Sequence, residues 1–230
     1  MIRPAAFAMA LALMLAAIGQ HPQPVPRYET LSLESPVDHI AVIGDSYTTG
    51  TNEGGLGAAT WTARAWQLLA RQGVQVTADV ASEGRAGYGV RGDHNSLFVD
   101  LTARAVKPDD VLVVFFGSRN DQGVDPVSLW TMANTNFDLV RRTAPAARLL
   151  VIGPPWPTAD VPAAVLQIRD ILGAAARTAG ATFIDPLADG WFVGRPELIG
   201  ADGVHPTDAG HAYMADKIAP LIRSQLPQRD

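Results

Sequence analysis

The chain has 230 residues and no cysteine, is 47% hydrophobic and 18% charged, and carries a formal net charge of -5. This length and composition suit one globular domain with a substantial apolar core and exclude global disorder. The acidic balance, without any run of lysine and arginine, argues against a protein that binds nucleic acid by general electrostatics. The lack of cysteine excludes disulfides, thiolate metal sites and a lipid anchor on cysteine.

The N-terminal part of the sequence differs in character from the rest. Residues 1–19 hold a basic residue near the start, an apolar stretch over residues 5–18 and a small residue before a polar segment, which is the pattern of a signal peptide. The apolar stretch is shorter than the about twenty residues of a membrane span, so we expect cleavage, with an uncleaved N-terminal anchor as the alternative. Residues 20–36 are rich in proline and predict an extended lead-in, followed by one domain over residues 37–230. We therefore expect a secreted or cell-envelope protein.

Apolar runs of strand length alternate along the domain with segments of helical periodicity. In chain order the pattern predicts strand HIAVIGD (39–45), helix 60–73, strand VQVTADVA (74–81), helix 97–106, strand VLVVFFG (111–117), helix 126–143, strand RLLVIGPP (148–155), a helix with Val161, Val165, Ile168, Leu172 and Ala175 on one face, strand ATFID (181–185) and a last helix from about Thr207. This alternation indicates βαβ units with right-handed crossovers. The predicted fold class is α/β, a single three-layer α/β/α domain with a five-stranded parallel sheet.

Polar segments follow the carboxyl ends of these predicted strands. Residues 44–46 read Gly-Asp-Ser, residues 82–85 Ser-Glu-Gly-Arg, residues 117–121 Gly-Ser-Arg-Asn-Asp and residues 202–205 Asp-Gly-Val-His. Open parallel sheets carry their sites outside the carboxyl ends of the strands. We therefore expect the four segments to meet at one site.

These segments supply the groups that an acyl-transfer site needs. Ser46 is a candidate nucleophile, and a serine hydroxyl needs an imidazole to take its proton. His205 is the candidate base, and Asp202 in the same loop can accept a hydrogen bond from its Nδ1–H. The N–H groups of Ser46 and Gly84 and the side-chain amide of Asn120 are candidate oxyanion donors. Each segment alone is more typical of a turn or helix cap, whereas the combination favours catalysis.

The same segments resemble a known enzyme family. GDSYTTG, ASEGRAG, GSRND and DGVHPTDAGH are similar to blocks I, II, III and V of the SGNH (GDSL) hydrolases, and the resemblance spans roughly residues 38 to 222. It implies a flavodoxin-like fold and the hydrolysis of esters, sometimes thioesters, without metal or cofactor. By this resemblance Ser46 is the nucleophile, Asp202 and His205 complete the triad, and Gly84 and Asn120 complete the oxyanion hole with the Ser46 amide.

The sequence departs from the family pattern at two points, and a third point is ambiguous. Tyr47 replaces the usual leucine after the serine, and Ser118 stands in the usual glycine place of block III. In block II, Gly87 and Gly89 compete with Gly84 for the oxyanion role, and we prefer Gly84 for its distance from the second strand.

Other polar and aromatic residues near these segments have two interpretations each. Asp45 and Asp121 are expected to accept hydrogen bonds or to cap helices, and Asp208 and His211 to be cap and helix-surface residues. Arg85 and Arg119 could bind an anionic substrate group or pair with Glu83 or Asp121, and Trp191 and Phe192 could line an acyl or sugar pocket or pack in the core. A metal site would need Asp202, His205 and His211 to converge, and we do not expect one.

We therefore expect an exported serine esterase acting on a small-molecule, lipid or acylated-carbohydrate ester. The alternatives are a carbohydrate O-deacetylase or acyltransferase of the cell envelope, and a non-catalytic envelope-binding module. The intact Ser46, Asn120, Asp202 and His205 argue against the binding module, which has no need of all four. The sequence indicates neither a nucleic-acid partner nor an obligate protein partner.

Overall fold

The central sheet is the part of the fold that positions the predicted site. The computed structural model describes residues 37–228, so the expected signal peptide and lead-in (1–36) lie outside the described residues. The strands are β1 (Asp38–Gly44), β2 (Val76–Ser82), β3 (Leu112–Phe116), β4 (Arg148–Ile152) and β5 (Thr182–Ile184). All neighbouring strands pair in parallel, in the order β2-β1-β3-β4-β5. The five-stranded parallel sheet is confirmed, and its order is that of the flavodoxin-like doubly wound folds.

Six helices connect or follow the strands in the described part of the chain. They are α1 (Ser46–Thr49), α2 (Trp61–Arg71), α3 (Phe98–Ala105), α4 (Pro126–Thr143), α5 (Ala163–Thr178) and α6 (Asp208–Gln225). Side-chain caps fix four of the starts: Asp45 accepts from the N–H of Tyr47, Thr60 from that of Ala63, Asp125 from that of Ser128 and Thr207 from that of Gly210. Such caps satisfy N–H groups that have no partner within the helix.

The predicted boundaries agree with these helices except at the start of α5. Pro162 is the N-cap residue of α5, so Val161 precedes the helix and does not belong to its inner face. The other four residues of that face, Val165, Ile168, Leu172 and Ala175, are buried. Within residues 37–228 no helix has both the length and the apolar character that crossing a membrane requires.

The burial of strand β3 explains why its sequence is an unbroken apolar run. All five of its residues are buried, because helices cover both faces of the sheet. Val113 and Phe115 belong to the core that α3, α4 and α5 cover, whereas Leu112, Val114 and Phe116 belong to the core beneath α2 and α6. Alternate side chains of this strand therefore belong to two separate cores.

His211 on α6 is buried, so the prediction that it lies on the helix surface is wrong. Its side chain is 0% exposed, and its Nδ1 accepts a hydrogen bond from the backbone N–H of Trp61 at 3.2 Å. It shares the inner face of α6 with Met214 and Ala215, three and four residues later. A Cβ on Gly55, at φ +75°, would come within 2.0 Å of the imidazole, so only glycine fits beside the ring. Burial lowers the pKa of His211 to about 4.

This buried neutral histidine makes stability depend on pH. The unfolded chain binds a proton at His211 near the ordinary pKa of 6.5, and the folded protein only near 4. The unfolded state therefore binds more protons between these values, and stability is lost as the pH falls from 6.5 to 4. Across that window we expect the free energy of unfolding of the wild type to fall, relative to His211→Gln, by up to about 3 kcal/mol.

Urea unfolding at a series of pH values checks this expectation. The exposed His94 provides a matched control, and the His94→Gln variant should follow the pH dependence of the wild type. If the free energies of unfolding of the wild type and His211→Gln changed in parallel with pH, the pH dependence would not come from His211.

Candidate active site

Ser46, His205 and Asp202 form one hydrogen-bonded chain. The Nε2 of His205 lies 3.0 Å from the Oγ of Ser46, and the Nδ1 of His205 lies 2.6 Å from the Oδ2 of Asp202. An Nδ1–H that donates to the carboxylate leaves Nε2 unprotonated and facing the hydroxyl. The structure thus brings together the three residues that were predicted from the sequence as nucleophile, base and orienting acid.

Asp202 is held as a carboxylate by its own loop. Its Oδ1 accepts hydrogen bonds from the N–H groups of Val204 and His205, at 2.8 and 2.9 Å. Burial acts to raise the pKa of Asp202, but the hydrogen bonds from the His205 side chain and from these two N–H groups prevail and lower it to about 2. Gly203 has φ +67°, a conformation that favours glycine and permits this tight loop.

Tyr47 ties the nucleophile turn to the base loop, a role that the sequence did not reveal. Its hydroxyl donates to the carbonyl oxygen of Val204 at 2.5 Å. Its ring is buried and lies edge-on against Phe116 and Phe192, with centroids 6.3 and 6.2 Å away. The usual leucine at this position has no hydroxyl to make this hydrogen bond.

Two acidic residues add further links between the same parts of the chain. The Oε2 of Glu53 accepts from the N–H of Ala201 at 2.8 Å, and the Oδ1 of Asp208 accepts from the N–H of Gly55 at 2.8 Å. Asp208 was expected to cap α6, but Thr207 caps that helix and the Asp208 carboxylate faces the loop after α1 instead. Together these bonds fix the base loop against the turn that carries the nucleophile.

Asp45 caps α1 directly beside the nucleophile, as expected. Its Oδ1 accepts from the N–H of Tyr47 at 2.9 Å, and the side chain is 1% exposed. Burial raises the pKa of Asp45 to about 7, although the hydrogen bond from Tyr47 and the charge of Arg119 act to lower it. Ser46 is the first residue of α1, so its N–H has no partner within the helix.

The glycines after β2 differ in whether their N–H groups are available. The N–H of Gly87 donates to the carbonyl oxygen of Val90 at 2.8 Å, and the N–H of Gly89 donates to the Oδ1 of Asp121 at 2.8 Å. The N–H of Gly84 donates to no acceptor among the described residues, and neither does that of Ser46. Of the three glycines, Gly84 therefore has the N–H that is available for an oxyanion.

Asn120 lies beside both Asp45 and the loop after β2. Its Nδ2 donates to the carbonyl oxygen of Ala86 at 3.0 Å and lies 3.4 Å from the Oδ2 of Asp45. Ser118, which stands in the usual glycine place, is buried and accepts from the N–H of Asn120 at 3.1 Å while donating to Ala86 at 3.2 Å. The departure in block III therefore supplies a hydroxyl that fixes the position of Asn120.

Asp121 organises the loop that carries Gly84. It is 1% exposed and accepts from the N–H groups of Tyr88, Gly89 and Val90 at 3.0, 2.8 and 3.2 Å. Burial raises the pKa of Asp121. The expectation that Asp121 accepts hydrogen bonds next to the site is confirmed.

The expected ion pairs of the two arginines with Glu83 and Asp121 do not form. Arg85 is exposed and pairs with Asp93 at 3.8 Å, whereas Glu83 accepts from the backbone N–H groups of His94 and Ser96. The guanidinium of Arg119 lies 4.1 Å from the centroid of the Trp156 ring. Its Nη1 is buried and has no hydrogen-bond partner among the described residues.

Trp191 and Phe192 pack in the core, the second of their two interpretations. They are 2% and 1% exposed and belong to the core beneath α2 and α6. The groups considered for a metal site do not converge either, because His211 faces Trp61 while His205 bridges Ser46 and Asp202. Within residues 37–228 no group of three or more His, Asp or Glu side chains is arranged to hold a metal ion.

An apolar groove lies against the base loop. It has a volume of about 480 Å³ and runs between residues 157–159, residues 193–196 and residues 199–203. Most of its lining is apolar, including Pro157, Ala159, Val193, Pro196 and Ile199. Gly203 of the base loop lines the groove, which places this apolar surface next to the loop that carries His205.

Comparison with known proteins identifies the family. The profile of the GDSL-like Lipase/Acylhydrolase family matches residues 42–213. The GDSL lipase Rv0518 of Mycobacterium tuberculosis is 62% identical over 229 residues, which cover 98% of this chain and 99% of the relative. The chain belongs to the GDSL-like lipase/acylhydrolase family. It is therefore a member of a family of ester-hydrolysing enzymes, as the motifs predicted.

Solved structures support the fold of this family member. TesA has a TM-score of 0.66 at 22% identity, covering 82% of this chain and 100% of that one. A lipase/acylhydrolase from Enterococcus faecalis has a TM-score of 0.65 at 16% identity, with 84% and 99% covered. A family two carbohydrate esterase from Clostridium thermocellum, solved with cellohexaose, has a TM-score of 0.65 at 18% identity, with 82% and 64% covered.

The Tyr47 hydroxyl should contribute to turnover through its hold on the base loop. We expect Tyr47→Phe to lower kcat on a 4-nitrophenyl ester by about two- to tenfold, the effect of one lost hydrogen bond. The ring packing is kept, so KM and the melting temperature should change little. Steady-state kinetics with Tyr213→Phe, on α6, provides the matched control. An unchanged kcat in Tyr47→Phe, or an equal loss in Tyr213→Phe, would contradict the proposed role of the hydrogen bond between Tyr47 and Val204.

Proposed function

We propose that this family member is a serine esterase that cleaves carboxylic esters through a triad of Ser46, His205 and Asp202. The observation that carries the proposal is the position of the His205 imidazole, with Nε2 3.0 Å from the Ser46 hydroxyl and Nδ1 2.6 Å from Asp202. These distances are those of a base that can take the serine proton while an acid fixes its tautomer.

The proposed reaction has two halves. His205 takes the Ser46 proton as Oγ attacks the ester carbonyl, and the imidazolium then protonates the departing alcohol, leaving an acyl-serine. Water, deprotonated by His205, attacks that ester and releases the acid, and the proton returns to Ser46. Asp202 stays ionised throughout, consistent with a pKa of about 2, and stabilises the imidazolium in each half.

The proposed oxyanion hole consists of the N–H groups of Ser46 and Gly84 and the Nδ2 of Asn120. Two observations support it: neither backbone N–H has another acceptor among the described residues, and the Asn120 amide is held by the carbonyl oxygen of Ala86, two residues after Gly84. The bond from Asn120 to Asp45 is long, at 3.4 Å. We propose that the oxyanion replaces Asp45 as the acceptor of that N–H in the transition state.

The apolar groove beside the base loop supports an ester with an apolar acyl group. Its volume of about 480 Å³ lies in the usual range of small-molecule sites. We propose that the acyl group of a small-molecule, lipid or acylated-carbohydrate ester occupies this groove. No contact of the described residues favours transfer of the acyl group to a sugar over transfer to water.

We also propose that the esterase is exported, with residues 1–19 as the signal peptide. The support is the sequence of that segment alone. N-terminal sequencing of the protein recovered from culture medium or envelope should find a start close to residue 20. A cytoplasmic protein that retains Met1 would contradict export, and a membrane-bound one would indicate an anchor.

The triad variants should lose activity in a defined order. We expect Ser46→Ala and His205→Ala to lower kcat by about a thousandfold or more, because each removes a group that acts in bond making. Asp202→Asn should cost less than His205→Ala, because Asp202 acts through the imidazole. Hydrolysis of 4-nitrophenyl acetate and butyrate, with chelator present, measures these effects.

Two distant variants serve as controls for this series. Ser128→Ala on α4 and His94→Gln on the surface should keep wild-type rates, and circular dichroism should show that all variants are folded. Turnover by folded Ser46→Ala at the wild-type rate would rule out the mechanism.

A further inference from the structure

Arg119 is a cation near Ser46 that has no anionic partner in the part of the chain that the structure describes. It forms no ion pair with a described carboxylate, and its buried Nη1 has no hydrogen-bond partner among residues 37–228. Buried donors are nearly always satisfied in folded proteins. An unpaired guanidinium N–H near Ser46 therefore lacks an acceptor that a bound anion would supply.

Trp156 fixes the orientation of this guanidinium. The Cζ of Arg119 lies 4.1 Å from the centroid of the indole ring, in cation–π contact. This contact uses the face of the guanidinium, so its in-plane N–H groups are the ones that remain to donate hydrogen bonds. The planar fork of arginine suits the two oxygens of a carboxylate or phosphate.

The guanidinium also lies near residues that adjoin Ser46 and near a residue that adjoins the groove. Its charge acts on Asp45 and Tyr47, the residues that flank Ser46. Trp156, on which it stacks, directly precedes Pro157, which lines the groove. A substrate whose ester lies at Ser46 and whose acyl group enters the groove would therefore have Arg119 in its neighbourhood.

The neighbouring acids do not neutralise Arg119. Asp45 lies nearby, but its pKa of about 7 leaves that carboxyl only partly ionised at neutral pH, with burial as the main cause. Asp121 is occupied by three backbone N–H groups. Arg85, the other arginine considered for this role, is exposed and paired with Asp93.

We infer that Arg119 binds an anionic oxygen group, a carboxylate or a phosphate, carried by the ester substrate a few bonds from the scissile carbonyl. This inference rests on the proposed esterase function and specifies its substrate class. Arg119 is thus a specificity-determining residue, and the preferred substrates are esters with a negative charge on either the acyl or the alcohol side.

Matched pairs of esters test the two sources of the charge. On the acyl side, mono-4-nitrophenyl adipate is compared with 4-nitrophenyl hexanoate, since both acyl chains have six carbons and the adipate carboxylate is too distant to attack its own ester efficiently. On the alcohol side, monobutyryl glycerol 3-phosphate is compared with monobutyrylglycerol by butyrate release. Wild type, Arg119→Gln, Arg119→Lys and the control Arg85→Gln are assayed on all four.

We expect the wild type to prefer the anionic member of at least one pair by about tenfold or more in kcat/KM. Arg119→Gln should reduce that preference to near unity, mainly through KM of the anionic ester, and Arg119→Lys should retain part of it. Arg85→Gln should keep the wild-type preference. The pair that shows the effect identifies the charge as acyl-side carboxylate or alcohol-side phosphate.

Three results would overturn the inference. One is a wild type that hydrolyses the neutral esters and shows no preference in either pair. Another is an equal loss on both members of a pair in Arg119→Gln, which would make Arg119 a general stabiliser of the site. A wild type that turns over none of the four esters would instead overturn the proposed esterase function, and the inference with it.

Discussion

The site depends on one constraint, which is that the His205 imidazole must lie within hydrogen-bond reach of a hydroxyl 159 positions away in the chain. The observed separation is 3.0 Å. Parallel strands bring the two loops to the same edge of the sheet, but strand pairing alone does not set an interatomic distance to this accuracy. Four hydrogen bonds do so, because all run between residues 47–61 and residues 201–211: Tyr47 to Val204, Ala201 to Glu53, Gly55 to Asp208 and Trp61 to His211. Two backbone segments are therefore joined at four points along their length, which orders the nucleophile turn and the base loop as one unit.

This close approach explains the glycines and the buried polar groups around the site. A Cβ on Gly54 would lie 2.4 Å from the backbone of Asp208, and one on Gly55 would overlap the His211 ring. His211 stays neutral in this contact, because burial lowers its pKa to about 4. On the other side of Ser46, burial raises the pKa of Asp45 to about 7. In both Asp45 and His211, burial disfavours the charged form of the side chain. These two supporting side chains therefore place little unpaired charge near Ser46. Arg119 is the exception, since it is a cation without an ion pair among residues 37–228.

Much of the fold and the residues of the proposed triad could be predicted from the sequence because each signal was local or motif-based. The apolar run 111–117 marked a strand covered on both faces, and the Asp-x-x-His spacing marked a loop that can place a carboxylate against an imidazole. What could not be predicted depends on contacts between distant segments. Nothing in the residues around Tyr47 shows that its hydroxyl meets Val204. His211 appeared as a surface residue because histidine is polar, although its position three residues before Met214 on the inner face of α6 was a signal that could have placed it inside. The unpaired state of Arg119 becomes visible only when Glu83 and Asp121 are seen to be occupied by backbone N–H groups.

The most direct test of the account is covalent labelling by a fluorophosphonate, followed by intact-mass and peptide analysis with chelator present. A fluorophosphonate reacts with a serine hydroxyl that a neighbouring imidazole activates, and it requires no knowledge of the natural ester. We expect one adduct per chain, located on Ser46, with a labelling rate that falls by at least about a hundredfold in His205→Ala. Labelling on another residue, or an unchanged rate in folded His205→Ala, would contradict the claim that the 3.0 Å contact between Ser46 and His205 is a working catalytic pair.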